Sequence, residues 1–132
     1  FDASSDSNVN SKNALVSANA ISKSMKTLNS EMKTDFSEEM RFGMGIHAGS
    51  MIVGMMGYGK TVTETAVGDN VNIAARLEEL TKTYKCELVV SKYVADKANI
   101  DTKKMRPKTV DIRGRKEVLE VFTFEKAADI PV

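Results

Sequence analysis

The sequence predicts a single α+β domain with an antiparallel-rich sheet, and three patterns carry that prediction. Apolar residues recur at steps of three and four between residues 14 and 32, the period of one helix face. From residue 41 the apolar period changes to two, which is typical of a β-strand. A second helical stripe over residues 73–84 is followed by short alternating segments that end in a hairpin. This order of elements favours helices packed on a mostly antiparallel sheet.

Composition narrows the class of protein. The chain has 132 residues, of which 42% are apolar and 28% charged, so disordered, collagen-like and membrane classes are excluded. Its net charge is +1, which provides no global field to attract nucleic acid or an anionic membrane, so any anion site must be local. The sequence contains no apolar run long enough to span a bilayer and no signal peptide pattern. We expect a cytoplasmic domain, either free or attached to a membrane only through regions upstream of this sequence.

The first helix should follow a polar start. Residues 1–11 are rich in Ser, Asp and Asn and are expected to form a loop. The helix that follows should pack through its apolar face, although a short coiled coil would show the same spacing. Alanine and methionine on this apolar face favour a helix packed within the domain over a coiled coil. The face consists of Ala14, Ala18, Ile21, Met25, Leu28 and Met32.

The next segment predicts a β-meander. In its first strand Phe42, Met44, Ile46 and Ala48 point to one side, and glycines and His47 point to the other. Gly-Ser at 49–50 turns the chain into a second strand over 51–56, and a tip at 58–60 leads into a third over 61–67. His47 could act as a base, but a partly buried strand residue with one satisfied nitrogen is the favoured interpretation.

The second helix places two polar side chains together. Asp69 is a candidate N-cap, and the apolar stripe of Ile73, Leu77, Leu80 and Tyr84 marks the buried face. Asn72 and Arg76 are one helical turn apart and share the flank of that stripe.

Two interpretations of that pair stay open. A guanidinium is the side chain best suited to a phosphoryl group, because its planar fork keeps its charge and donates two parallel hydrogen bonds. Alternatively, Arg76 pairs with Glu78 or Glu79 on a solvated helix face, and Asn72 caps the helix or faces water.

The C-terminal part predicts a strand over 87–91, a brief helix capped by Ser91, and a hairpin about the turn 113–116. Seven basic residues lie between Lys103 and Lys116, but no aromatic residue accompanies them, so we expect a solvated basic edge and no nucleic acid partner. One cysteine and one histidine cannot build a zinc site. Cys86 is expected to be a packing residue, with a reactive role left open.

Four segments carry a family resemblance. The runs "FGMGIHAGSMIVGMMG", "TETAVGDNVNIAARLE", "LVVS" and "IRGRKEVLEVFTF" occur in that order. Together they resemble the catalytic domain of class III adenylate and guanylate cyclases across nearly all of residues 12–125. The resemblance implies a partial ferredoxin-like nucleotide cyclase fold, with helices packed on one face of the sheet, and a C-terminal tail over 126–132.

The resemblance also implies roles at a dimer interface. Asn72 would orient the ribose, and Arg76 would stabilise charge on the α-phosphate while the 3′-hydroxyl attacks and pyrophosphate leaves. Arg113, assisted by Arg115, would contact the terminal phosphates. Thr65 occupies the purine-reading position, and its hydroxyl can accept from the exocyclic amine of adenine, which favours ATP over GTP. The partner would be a second copy or another metal-competent cyclase domain.

The sequence departs from the family pattern at its start. Family members carry two metal-binding aspartates in a strand and a hairpin upstream of the long helix, and this chain begins at the final Phe of that hairpin, Phe1. Asp2 and Asp6 cannot be assigned as ligands. We expect two Mg²⁺ or Mn²⁺ ions in the full domain, no metal ligands in this truncated chain, and little or no cyclase activity from it alone. The alternative is a non-catalytic nucleotide-binding or dimerisation module, a pseudo-cyclase.

Overall fold

A computed structural model of the protein describes residues 6–114 and 116–132. Three helices and six strands follow one another along the described chain, and a 3₁₀ turn follows the last strand. The elements are α1 (Ser7–Glu31), β1 (Met44–Ile46), β2 (Ile52–Tyr58), β3 (Thr61–Val67), α2 (Asp69–Tyr84), β4 (Leu88–Ser91), α3 (Lys92–Lys97), β5 (Lys108–Asp111), β6 (Val118–Phe124) and a 3₁₀ turn (Ala127–Asp129).

The strands form two separate sheets. A four-stranded sheet has the order β1-β4-β6-β5, in which β1 runs parallel to β4 and the other pairs are antiparallel. Among the described residues, β2 and β3 pair only with each other, as an antiparallel hairpin. The predicted meander is therefore wrong at the step from β1 to β2. The strand β1 pairs instead with β4, which it reaches through the hairpin and α2, because a parallel pair needs a long crossover connection.

Helices cover both faces of the four-stranded sheet. Leu88 and Val90 of β4 face a core that contains α1 and α3, whereas Val89 faces α2. The expectation of helices on one face is thus wrong, although the α+β class with antiparallel-rich sheets is confirmed. The physical reason lies in β4, whose residues are all buried and whose two faces must both be covered.

Gly45 sets the distance between β1 and α2. A Cβ atom at Gly45 would lie 2.3 Å from the carbonyl oxygen of Ala74 and 2.3 Å from the backbone nitrogen of Glu78. The side of β1 without large side chains is therefore where α2 docks. The opposite side, Met44, Ile46 and Ala48, packs on the core beside α1 as the alternation predicts.

Helix α1 begins earlier than expected. It starts at Ser7, inside the segment predicted as a loop, and the Asp6 carboxylate caps it by accepting a hydrogen bond from the backbone N–H of Asn8 at 2.8 Å. An aspartate at this position satisfies an otherwise unpaired N–H group, which a composition-based loop prediction overlooks. Residues 1–5 lie outside the described part of the chain.

The buried face of α1 is also different from the predicted one. Ile21 and Leu28 are 48% and 37% exposed. Polar residues take their place because they bond to distant parts of the chain: the Asn19 amide donates to the carbonyl oxygens of Ala127 and Ala128 at 3.3 and 2.8 Å. The buried residues of α1 are Ser11, Leu15, Ala18, Asn19 and Ser22.

A half-buried carboxylate completes this attachment. Glu87 accepts hydrogen bonds from the Ser22 hydroxyl, from the Lys126 ammonium at 3.0 Å and from the backbone N–H of Ala127 at 3.0 Å. We refer to Glu87, Ser22, Lys126 and Ala127 as the Glu87 clasp. Desolvation raises the pKa of the Glu87 carboxyl, but the three hydrogen bonds outweigh it and the net pKa is lowered. The predicted tail is packed, since Ala127 and Ile130 are buried.

The β2–β3 hairpin contrasts with this packing. Every residue of β2 is exposed, and Ile52, Met55 and Tyr58 are 77%, 67% and 95% accessible. We refer to residues 52–67 as the apolar hairpin. It leaves and rejoins the domain at neighbouring points, because a Cβ atom at Gly68 would lie 3.6 Å from the Cα atom of Met51. Within the described ranges, no helix has the length and apolarity needed to cross a membrane.

Candidate functional site

The site is built at the start of α2. The helix follows β3 directly, and its N-cap is Gly68, which supplies no side-chain hydrogen bond. The predicted N-cap, Asp69, is instead the first helical residue, where its charge favours the positive end of the helix dipole. The backbone N–H groups of Val71 and Asn72 donate to the carbonyl oxygen of Gly68 at 3.1 and 3.3 Å.

A cleft of about 760 Å³ opens between the first half of α2 and the turn after β5. The two elements meet because Ile73 and Leu77 pack against Val110 of β5 in one buried cluster. Asn72, Arg76 and Arg113 therefore reach the same cleft from two parts of the chain. The lining residues are Asp69, Asn72, Ile73, Arg76, Glu79, Asp111, Ile112, Arg113 and Gly114.

Arg76 carries an ion pair inside this cleft. Its Nη1 atom lies 3.1 Å from Oε2 of Glu79, and the two side chains are 54% and 61% exposed. The pairing with Glu79, one of the two partners considered from the sequence, is thus observed. An exposed pair of this kind contributes about 0–1 kcal/mol, so a phosphoryl oxygen can replace the carboxylate at little cost.

The acidic residues of the cleft do not form a metal centre. Asp69 and Asp111 line it together with Glu79. Among the residues that the structure describes, no group of three or more His, Cys, Asp or Glu side chains is arranged to hold a metal ion. The chemistry proposed for this chain therefore relies on its own side chains.

One predicted site residue, Thr65, is not among the described residues that line the cleft. Thr65 lies on β3, is half-buried, and its hydroxyl donates to the carbonyl oxygen of Thr63 at 3.3 Å. It belongs to the β2–β3 hairpin, which forms its own two-stranded sheet. A second predicted site residue, Arg115, lies outside the described residues.

Sequence reasoning overlooked one polar cluster beside the cleft. His47 Nε2 lies 3.1 Å from Oδ1 of Asn70, and the Asn70 amide donates to the carbonyl oxygen of Ser50 at 2.8 Å. The contact confirms the expected satisfied ring nitrogen, but His47 lies just after β1, so its placement within the strand is wrong. No periodicity marks Asn70, because its partners are 20 and 23 residues away.

Cys86 is a packing residue, as expected. It is half-buried against the cluster formed by α2 and β5. Burial raises the pKa of the Cys86 thiol, and the nearby Lys108 ammonium and a backbone hydrogen bond at Leu88 only partly oppose that increase. The thiol therefore stays protonated at neutral pH and is a weak nucleophile.

Comparison with known proteins identifies the family. The family model of the adenylate and guanylate cyclase catalytic domain matches residues 2–126, and the chain belongs to this family. Adenylate cyclase 1 of Rhizobium meliloti (strain 1021) is 33% identical over 104 residues, which is 78% of this chain and 16% of that protein. An adenylate cyclase of Anabaena cylindrica is 30% identical over 83 residues, 61% of this chain and 16% of that protein.

A solved structure confirms the fold. The crystal structure of the guanylyl cyclase Cya2 superposes with a TM-score of 0.75 and 19% sequence identity, covering 93% of this chain and 61% of that one. The predicted cyclase fold is therefore confirmed. The chain spans about one sixth of the length of the curated relatives described above.

Proposed function

We propose that this chain supplies the transition-state half of an adenylate cyclase site, which converts ATP to 3′,5′-cyclic AMP and pyrophosphate in signalling. The observation that carries the proposal is the shared cleft, where Asn72, Arg76 and Arg113 converge. One carboxamide and two guanidinium groups in a single cleft match the ribose and phosphates of a nucleoside triphosphate.

The chemistry assigned to this chain is electrostatic. The ribose 3′-hydroxyl releases its proton to solvent as its oxygen forms a bond to the α-phosphorus. The bond from that phosphorus to the bridging oxygen breaks, and pyrophosphate carries the electron pair away. Arg76 donates hydrogen bonds to the α-phosphoryl oxygens as negative charge redistributes, and Asn72 holds the ribose in line. Arg113, with Arg115, binds the leaving phosphates. Such catalysis depends mainly on positioning and on cations directed at developing charge.

ATP is the proposed substrate. Both relatives described above are named adenylate cyclases, which supports ATP. The role of the Thr65 hydroxyl as acceptor for the exocyclic amine of adenine rests on the family resemblance, because Thr65 is not among the described residues that line the cleft. The two Mg²⁺ or Mn²⁺ ions of the complete site, which activate the hydroxyl and neutralise the triphosphate, would be bound by residues outside the described chain. Nucleic acid is not among the proposed partners.

A second cyclase domain is the proposed protein partner, either another copy of this chain or a metal-competent homologous domain. The apolar hairpin adjoins the start of α2 and exposes large apolar side chains, a feature typical of protein contact surfaces. A partner seated on the hairpin would lie beside the cleft and close the composite site.

The test compares Arg76→Ala with Glu79→Gln. The chain is mixed with a metal-competent cyclase domain whose own equivalent arginine is replaced, so that turnover depends on this cleft. We expect Arg76→Ala to lower kcat by about 10²–10³-fold, the usual loss when one transition-state donor is removed. Glu79→Gln breaks the same ion pair yet should retain or increase activity, because it frees Arg76.

Equal effects of the two substitutions would assign Arg76 only a surface pairing role and overturn the proposal. Binding of a fluorescent ATP analogue without any rescued turnover would instead identify the alternative, a non-catalytic nucleotide-binding or dimerisation module.

A further inference from the structure

The Asn70 side chain joins three parts of the fold beside the cleft. Its Oδ1 atom lies 3.1 Å from Nε2 of His47, just beyond β1, and its amide donates to the carbonyl oxygen of Ser50 at 2.8 Å, in the turn that leads to β2. Asn70 itself is the second residue of α2. One carboxamide thus connects the end of β1, the base of the apolar hairpin and the first turn of the helix.

The space around this carboxamide is closely fitted. A Cβ atom at Gly49 would lie 2.3 Å from Cγ of Asn70, so the turn between β1 and β2 approaches the amide as closely as a glycine permits. Asn70 is half-buried, and its two hydrogen bonds use both its donor and its acceptor group. Such an arrangement fixes the orientation of the side chain rather than solvating it.

No side chain of the N-cap residue, Gly68, caps the start of α2, and the preceding strand β3 belongs to the exposed hairpin. A change in the tilt of the first turn would move the residues that follow, since Asn72 and Arg76 lie about 3 and 9 Å further along the helix axis.

We infer that Asn70 is a positioning residue, which orients the Asn72 and Arg76 side chains by fastening the first turn of α2 to β1 and to the base of the hairpin. This inference rests on the proposed function for the effect on turnover, but its structural part does not. Because Arg76 acts on charge that develops during the reaction, misplacement should reduce kcat more than it raises KM.

Asn29 provides a matched control. Its amide donates to the carbonyl oxygen of Met40 at 3.0 Å, and its carbonyl oxygen accepts from the backbone N–H of Met40 at 2.9 Å. It is therefore another asparagine that fastens a helix to a distant loop through two hydrogen bonds, but on α1 and outside the cleft lining. Asn70→Ala and Asn29→Ala should lower thermal stability to a similar extent.

The kinetic test uses the paired assay described above. We expect Asn70→Ala to lower kcat about tenfold with KM changed less than about threefold, and Asn29→Ala to leave both within about twofold. His47→Ala combined with Asn70→Ala should lose no more kcat than Asn70→Ala alone, because both substitutions disrupt one connection. Equal kcat values for Asn70→Ala and Asn29→Ala at matched thermal stability would overturn the inference.

A second measurement separates this inference from the proposed function. Hydrogen exchange of the backbone amides of residues 70–73 is measured on this chain alone and needs no activity assay. Asn70→Ala should accelerate this exchange severalfold relative to Asn29→Ala. If exchange is accelerated but Arg76→Ala leaves turnover unchanged, the proposed function fails and the structural role of Asn70 stands. If Arg76→Ala abolishes turnover while Asn70→Ala behaves as Asn29→Ala does in both measurements, only the inference about Asn70 fails.

Discussion

The Glu87 clasp and the apolar hairpin differ in how a peripheral segment is attached to the sheet. In the clasp, a largely buried carboxylate accepts three hydrogen bonds that tie α1 and the C-terminal segment to β4. In the hairpin, fourteen backbone positions pair with each other, and the side chains of β2 face solvent.

The two segments differ in whether their side chains find contacts within the chain. The clasp satisfies its polar groups within the chain, so nothing further is required there. The hairpin leaves apolar surface in water, where it contributes little to folding and can contribute to association. The cleft lies on the hairpin side of this division, at the start of α2.

The largest expected effect tests whether the hairpin is energetically separate from the core. Leu77 is fully buried, and Leu77→Ala should lower the free energy of unfolding by about 2–5 kcal/mol, because it removes packed methyl groups and leaves a cavity. Ile52 is 77% exposed, and Ile52→Ala should change the free energy by less than about 0.5 kcal/mol. Urea unfolding of each variant measures both values. A comparable loss for Ile52→Ala would show that the hairpin is part of the core.

The next effect concerns association. Ile52→Lys places a charge on the apolar hairpin and should raise the dimer dissociation constant at least about tenfold, measured by sedimentation, without altering the circular dichroism spectrum. Val16→Lys is the control, since Val16 is 45% exposed on α1 and lies outside the hairpin. Equal weakening by the two substitutions would remove the hairpin from the interface.

The smallest expected effect concerns the clasp and pH. The folded-state pKa of the Glu87 carboxyl lies below its ordinary value of 4.5, so the folded protein binds fewer protons there than the unfolded chain does. The stabilisation is therefore fully present above pH 4.5 and is lost as the pH falls through the lower folded-state pKa. Glu87→Gln should lower the free energy of unfolding by about 1–2 kcal/mol at pH 7, and this difference from the unsubstituted protein should diminish in acid.

Asp96→Asn supplies the control for that experiment, because it removes a carboxylate from an exposed ion pair with Lys92. It should cost less than about 0.5 kcal/mol, as exposed helix pairs do. If Glu87→Gln lowered the free energy of unfolding by the same amount at every pH, the charge of the carboxylate would not contribute to the stability of the clasp.

The elements that were predicted correctly are those whose own residues contain the signal. The stripe of Ile73, Leu77 and Leu80 marks the buried side of α2, and the Ser91 side chain caps α3 by accepting from the backbone N–H of Val94. The apolar face predicted for α1 is wrong because its buried side is held by hydrogen bonds to residues about 65–109 positions away. Such partners leave no periodic pattern in the helix itself.

The same distinction applies to the cleft. The spacing of Asn72 and Arg76 places them on one flank of α2 from helical geometry alone. The position of Arg113 in the cleft depends on how α2 packs against β5. The resemblance implied this position, but the local sequence does not specify it. The contact of Asn70 with His47 and Ser50 depends on the turn between β1 and β2 lying against the start of α2, and no sequence motif indicates it.

The neighbouring entry and exit points of residues 52–67 have an evolutionary consequence. A segment that departs from the domain and returns at almost the same place can vary in length and composition while the strands and helices behind it keep their arrangement. The exposed surface of this segment can therefore diversify separately from the folding of the domain.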